Sequence, residues 1–271
     1  MHRNNIECEH GCGFNRRRPI YQQHSGIVSD RKSVAIELEG IIVVVGNYGS
    51  GKTEVTINLA IERKKAGIEV RVADLDLVNP YFRTREARKI LTDLGIDLVL
   101  PPEDMLYADL PLLNPMVAGM IRQPAALTII DVGGNDAGAT VLSALAEAFR
   151  GKQCHTLQVV NPMRPDTDTI AGCLKVRRQI EAAARMPING LVGNANLIDE
   201  TTAADVYRGV EFVQRLARES ALALRFVTVA AELLPQIDVQ RIPCPVLTIH
   251  RQLLPPWKKT HHRQHSNNGG R

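Results

Sequence analysis

From about residue 34 to about residue 257, short unbroken apolar runs alternate with longer stretches whose apolar residues recur every third or fourth position. Unbroken runs of this kind predict strands buried on both faces of a parallel sheet, and the spaced stretches predict helices that cover it. The run 41–45, Ile41-Ile42-Val43-Val44-Val45, is β-branched throughout and has no polar alternation. It predicts a central strand. The segment 52–66 follows with Val55, Leu59 and Ile61 near helical register and stops at Gly67, a residue suited to the left-handed turn that ends a helix. The same reading places strands at 69–74, 96–100, 126–131, 156–160, 188–192, 225–229 and 245–249, and helices at 83–94, 139–149, 167–185 and 200–218. Residues 103–125, rich in Leu, Met and Pro, are expected to hold one or two short helices. Strand and helix in alternation predict an α/β fold in three layers, α/β/α, around a mostly parallel sheet.

The two ends break this pattern. Residues 1–33 read as a polar appended segment and 258–271 as a disordered polar tail, leaving 34–257 as one large domain. The formal net charge is +4, but Arg16, Arg17, Arg18, Lys258, Lys259, Arg263 and Arg271 all lie in the ends, so the middle is nearer neutral. With aromatics at 4%, there is little surface for stacking bases, and a nucleic-acid partner is not expected. No run reaches the ~20 apolar residues of a membrane span, and the start of the chain lacks a secretory apolar core, so a cytoplasmic protein is expected. The 5 cysteines, an odd number, suit reduced thiols, with Cys154, Cys173 and Cys244 as core filling. Cys8, His10 and Cys12 leave a metal site open, whereas His261, His262 and His265 are expected to be solvated.

The chemistry begins at the end of the first strand. Gly46-Asn47-Tyr48-Gly49-Ser50-Gly51-Lys52-Thr53 fits the phosphate-loop pattern G-x-x-x-x-G-K-[ST], and it stands between an apolar strand and an amphipathic helix. Glycines at 46, 49 and 51 let the backbone wrap round phosphates with its N–H groups inward, and the helix start adds its positive end. Lys52 is placed to reach the β- and γ-phosphates and the Thr53 hydroxyl to ligate Mg²⁺. A nucleoside triphosphate is the implied ligand, and a P-loop NTPase fold the implied architecture.

Two further strand ends carry carboxylates. Asp131 closes an apolar strand and opens Asp131-Val132-Gly133-Gly134, an arrangement in which Asp131 serves Mg²⁺ and a glycine amide, Gly134, meets the γ-phosphate. Asp74 and Asp76 lie at the carboxyl end of the strand after the first helix, the edge at which open parallel sheets bind ligands. Asp76 is the candidate for Mg²⁺ and for orienting an attacking water, with Asp74 in support. The competing assignment is a pair of turn aspartates before Asn79-Pro80.

Taken together, the segments 46–53, 72–76 and 129–134 resemble the CobQ/CobB/MinD/ParA nucleotide-binding family of SIMIBI-class P-loop proteins, over about residues 38–250. The resemblance implies ATP as the nucleotide, Asp76 in a first switch and Asp131 in a second. It also implies base recognition by an amide after a late strand, for which Asn194 is the first candidate and Asn161 the second. In the MinD/ParA branch a lysine follows the first glycine of the loop and reaches the partner's nucleotide in a dimer. This chain has Asn47 there, so a homodimer would need another cation, with Arg83, Arg85 and Arg88 as the candidates. The membrane-binding C-terminal helix of MinD has no counterpart either, because prolines interrupt Leu253-Leu254-Pro255-Pro256-Trp257.

The leading expectation is a Mg²⁺-dependent ATPase that switches its grip on a protein or metallocentre partner. A small-molecule kinase or ATP-dependent synthetase of the same fold is the alternative, with the acceptor held by residues 77–125. A nucleotide-binding module without turnover is the third.

Overall fold

The computed structural model describes residues 36–76, 84–100 and 115–253. Eight strands form one sheet: β1 (Gly40–Gly46), β2 (Val70–Leu75), β3 (Asp97–Val99), β4 (Leu127–Val132), β5 (Cys154–Val160), β6 (Gly190–Gly193), β7 (Ala223–Ala230) and β8 (Val246–Ile249). Their order is β3-β2-β4-β1-β5-β6-β7-β8, and every pairing is parallel. The helices are α1 (Lys52–Lys65), α2 (Arg88–Asp93), α3 (Pro115–Arg122), α4 (Asn135–Ala144), α5 (Ala146–Phe149), α6 (Ile170–Ala184) and α7 (Ala203–Ser220).

The apolar run of β1 is buried because it is central, between β4 and β5. Its alternate side chains enter different cores. Ile42 and Val44 pack with Val55 and Leu59 of α1 and Leu91 of α2. Ile41, Val43 and Val45 pack on the other face with Ile121 of α3, Leu142 of α4 and Ile180 of α6. A third core joins Leu191 of β6 and Val227 of β7 to Val206, Val210 and Val213 of α7. Each large aliphatic side chain so enclosed stabilises the fold by about 1.5–3 kcal/mol. The sheet is therefore covered on both faces, as the alternating pattern predicts.

Element edges moved where capping overrides periodicity. Helix α7 starts after Thr202, whose hydroxyl accepts from the Asp205 N–H while the Asp205 carboxylate accepts from the Thr202 N–H. Helix α6 starts after Thr169, which accepts from the Gly172 N–H, three residues later than expected at 167. The helix expected at 139 instead begins at Asn135, and its course breaks at Leu145 into α4 and α5. The expected helix 83–94 is a 3₁₀ turn, Thr84–Ala87, followed by the short α2. Among the described residues, no helix is long and apolar enough to cross a membrane. The terminal segments 1–33 and 258–271, with Cys8, His10, Cys12 and the late histidines, lie outside the described residues.

Candidate nucleotide site

Strand β1 delivers the loop 46–53 to the carboxyl edge of the sheet, where it turns directly into α1. Gly51 is the residue before the helix and sits in the left-handed region, with φ of 89°. A Cβ there would lie 2.2 Å from Nδ2 of Asn194. Both facts require glycine, the first by backbone conformation and the second by space. Asn194 is buried beneath the loop, where its Nδ2 donates to the Ser50 carbonyl at 2.7 Å and its Oδ1 accepts from the Thr228 hydroxyl at 2.5 Å. Asn161 is likewise engaged, donating to the Asn196 carbonyl and accepting from the Met163 N–H. Both amides expected to read a base are hydrogen-bonded within the chain, Asn194 to the phosphate loop and to Thr228, Asn161 to the segments after β5 and β6.

Helix α1 is anchored from behind. The Glu54 carboxylate accepts from the backbone N–H groups of Gln252 and Leu253, and Asn58 Oδ1 accepts from that of His250. Burial raises the Glu54 pKa, and these donors work against that rise. The chain after β8 in this way fixes the helix whose first turn carries Lys52 and Thr53.

Lys52 and Thr53 are both buried, and the Lys52 ammonium donates to the Asn47 carbonyl at 3.1 Å. Across the loop stand the carboxylates. Asp74 pairs in register with Asp131 across β2 and β4, and Asp74 Oδ1 accepts from the Asp76 N–H at 2.9 Å. The Thr84 hydroxyl donates to Asp131 Oδ2 at 2.7 Å, while Asp131 Oδ1 is buried with no hydrogen-bond partner among the described residues. Nothing local to the sequence links Thr84 to a carboxylate 47 residues away.

The D-x-x-G segment closes onto the same cluster. A Cβ on Gly133 would lie 2.9 Å from Asp76 Oδ1, and one on Gly134 would lie 3.0 Å from Lys52 Nζ and from the Tyr48 backbone. Lys52, Asp76, Asp131, Gly134 and the loop are therefore one constellation. Tyr48 is 63% exposed at the loop tip. Arg88 is exposed on α2, whereas Arg83 and the side chain of Arg85 lie outside the described residues.

Burial sets the electrostatics. Desolvation pushes the Asp131 pKa up to about 7, reinforced by Asp74, while the Thr84 hydrogen bond and Lys52 oppose it. Desolvation also lowers the Lys52 pKa, against the attraction of Asp131 and Asp76. In the free protein both groups are thus drawn toward neutrality. A folded Asp131 that holds its proton to about pH 7, against about 3.9 when unfolded, binds more protons folded than unfolded in between. Stability is expected to fall as pH rises from about 4 to about 7 and to level off above. Asp131→Asn should flatten that part of a melting-temperature profile taken without nucleotide; a slope unchanged in the variant would contradict it.

The donor set fits a magnesium–triphosphate complex. Asp131 Oδ1 and Ser50 Oγ are buried without partners among the described residues, the first an acceptor for a hard cation and the second a donor inside the loop. Thr53, Asp76 and Asp131 are the residues that would hold Mg²⁺.

No protein-family model matches the chain. No curated protein matches it either. Among solved structures, cell division protein ftsY from Thermotoga maritima is similar at 21% identity, covering 74% of this chain and 65% of that one, with a TM-score of 0.51. FtsY from Mycoplasma mycoides shares 18% identity over 70% of this chain and 60% of its own, with a TM-score of 0.50. Chloroplast FtsY from Physcomitrella patens gives 18%, 70%, 58% and 0.50 in the same order. The likeness extends to the architecture, an α/β fold built on a parallel sheet. The matches span less than two thirds of the FtsY chains, 58–65% of their length, and at this identity the likeness concerns fold alone.

Proposed function

We propose that the chain is a Mg²⁺-dependent ATP-binding protein that hydrolyses ATP as a switch acting on a protein or metallocentre partner, in the manner of the CobQ/CobB/MinD/ParA group. The observation that carries this reading is the contact of Gly133 and Gly134 with Asp76, Lys52 and the phosphate loop. A phosphate chain that draws Lys52 from the Asn47 carbonyl changes the groups packed on both segments, which is how occupancy would reach the surface. Mg²⁺, held by Thr53, Asp76 and Asp131, would neutralise phosphate charge. Lys52 binds the β- and γ-phosphates, and Asp76 accepts a hydrogen bond from the attacking water. A MinD/ParA-type sandwich dimer is not part of the proposal, since Asn47 is uncharged and donates to Pro165 of its own chain.

Two substitutions test the division of labour. Asp76→Asn is expected to slow phosphate release by about 10²-fold or more, as for loss of a water-orienting group, with a smaller loss of Mg²⁺-dependent nucleotide affinity than Asp131→Asn gives. Asp131→Asn is expected to weaken the Mg²⁺-dependent part of binding as well. Wild-type turnover in Asp76→Asn would remove that residue from the mechanism.

One feature favours the kinase or synthetase alternative. An open groove of about 610 Å³ is lined, among the described residues, by Arg88, Thr92, Asp97, Leu100 and Met116, inside the stretch 77–125 that this alternative assigns to an acceptor. Phosphate release measured with and without small carboxylic acids separates the readings. Stimulation that depends on Arg88 would favour transfer, and release indifferent to the acids favours the switch.

A further inference from the structure

The chain after β5 makes a tight turn whose polar groups are mutually satisfied. Asn161 Oδ1 accepts from the Met163 and Asn196 N–H groups, and the Thr167 hydroxyl donates to the Asn161 carbonyl at 2.7 Å. The turn is also joined to the phosphate loop, because Asn47 Nδ2 donates to the Pro165 carbonyl at 3.2 Å. Arg164 lies between these two anchors, half-buried. A Cβ built on Gly49 would be 3.7 Å from Arg164 Nε and 3.9 Å from its Cδ, so the arginine stem passes against the middle of the phosphate loop.

Its Nε is buried and has no hydrogen-bond partner among the described residues. A buried guanidinium N–H without an acceptor is unfavourable, and a rigid turn that holds it there needs a reason. Arginine is suited to phosphate, since its planar fork donates to two oxygens at once and stays charged when partly desolvated. The neighbouring loop position, Asn47, carries no charge. A magnesium–triphosphate is a net anion and meets one buried lysine, Lys52, on this loop.

We infer that Arg164 is a second cation of the site, donating in cis to the phosphates of a nucleotide held by 46–53. The inference rests on the nucleotide-binding reading above. It makes Arg164 a binding residue that touches ligand, and it gives the Asn47 to Pro165 hydrogen bond a purpose, which is to fix that guanidinium against Gly49.

The test compares the full chain with Arg164→Gln, which keeps a polar stem without charge, and Arg164→Lys, which keeps the charge without the fork. Affinities are measured for MgATP and for magnesium tripolyphosphate, with melting temperatures in the absence of ligand. Arg164→Gln is expected to weaken both ligands by about tenfold or more, the effect of losing a charge-assisted hydrogen bond. Arg164→Lys should recover part of that loss, the salt dependence of binding should become shallower in Arg164→Gln, and ligand-free melting should be unchanged. Unchanged affinity in Arg164→Gln overturns the inference. So does a loss confined to MgATP, which would put the arginine on base or ribose, or a loss that tracks a lower melting temperature. Binding by the unmodified chain that is abolished in Lys52→Ala but untouched in Arg164→Gln leaves the nucleotide reading standing while this inference falls. If the unmodified chain binds neither ligand, both fall.

Discussion

Lys52→Ala is expected to lower triphosphate affinity by about 10²-fold or more, because it strips the buried ammonium that faces the phosphates. In the free protein that ammonium is buried, bonded to the Asn47 carbonyl and close enough to Asp131 and Asp76 to feel both charges. Its removal leaves the carboxylates unopposed just where a further anion must enter. Repulsion then adds to the lost attraction. Because desolvation already opposes the charge of Lys52, the substitution should cost the ligand-free fold little, with a melting temperature within a few degrees of the original. Equilibrium binding by calorimetry or competition checks this. Unaltered affinity and hydrolysis in the variant would detach the loop 46–53 from nucleotide binding.

Gly51→Ala is expected to damage the site as severely by a different route. The added Cβ would meet Asn194 Nδ2 at 2.2 Å in a backbone conformation with φ of 89°. Left-handed backbone costs an alanine about 1–2 kcal/mol on its own. Asn194 cannot swing clear cheaply, since it is buried and bonded to Ser50 and Thr228 at once. Either the amide lets go of the Ser50 carbonyl or the loop shifts off the helix start. Nucleotide affinity should fall about tenfold or more, with ligand-free stability reduced by roughly 1–3 kcal/mol. Asn194→Ala should relieve part of the affinity loss when combined with Gly51→Ala, since it removes the atom in the way. Independent, additive effects of the two changes would contradict the clash.

The strands were the most legible part of this molecule, for a physical reason. A parallel strand covered on both faces must be apolar without interruption, so 41–45 and 126–131 announce themselves, and the ends of all eight strands of the sheet lie within two residues of their expected positions. Helix starts were less legible because the deciding group is one side chain outside the periodic stretch, as Thr169 and Thr202 show. The phosphate loop could be read because its chemistry demands consecutive residues. Asp76, Asp131 and Gly134 stand at strand ends that converge on one sheet edge, and the structure brings them together round Lys52. The asparagines mark the limit. Their position after β5 and β6 is visible in the sequence, but the bonds each makes to the Asn196 and Ser50 carbonyls come from segments that no local pattern names. Arg164 and Thr84 carry no local signal for the same reason, since the loop glycine beside the first and the carboxylate bonded to the second lie more than 40 residues away in sequence.

The central claim is that this chain holds a nucleoside triphosphate on the loop 46–53 with Mg²⁺ beside Asp131. Titration calorimetry of the full chain with MgATP, and with MgGTP as competitor, tests it directly. The account predicts saturable binding of one nucleotide per chain, stronger for ATP, weakened when Mg²⁺ is chelated and lost in Lys52→Ala. No heat of binding and no thermal stabilisation by either triphosphate at millimolar concentration would contradict it.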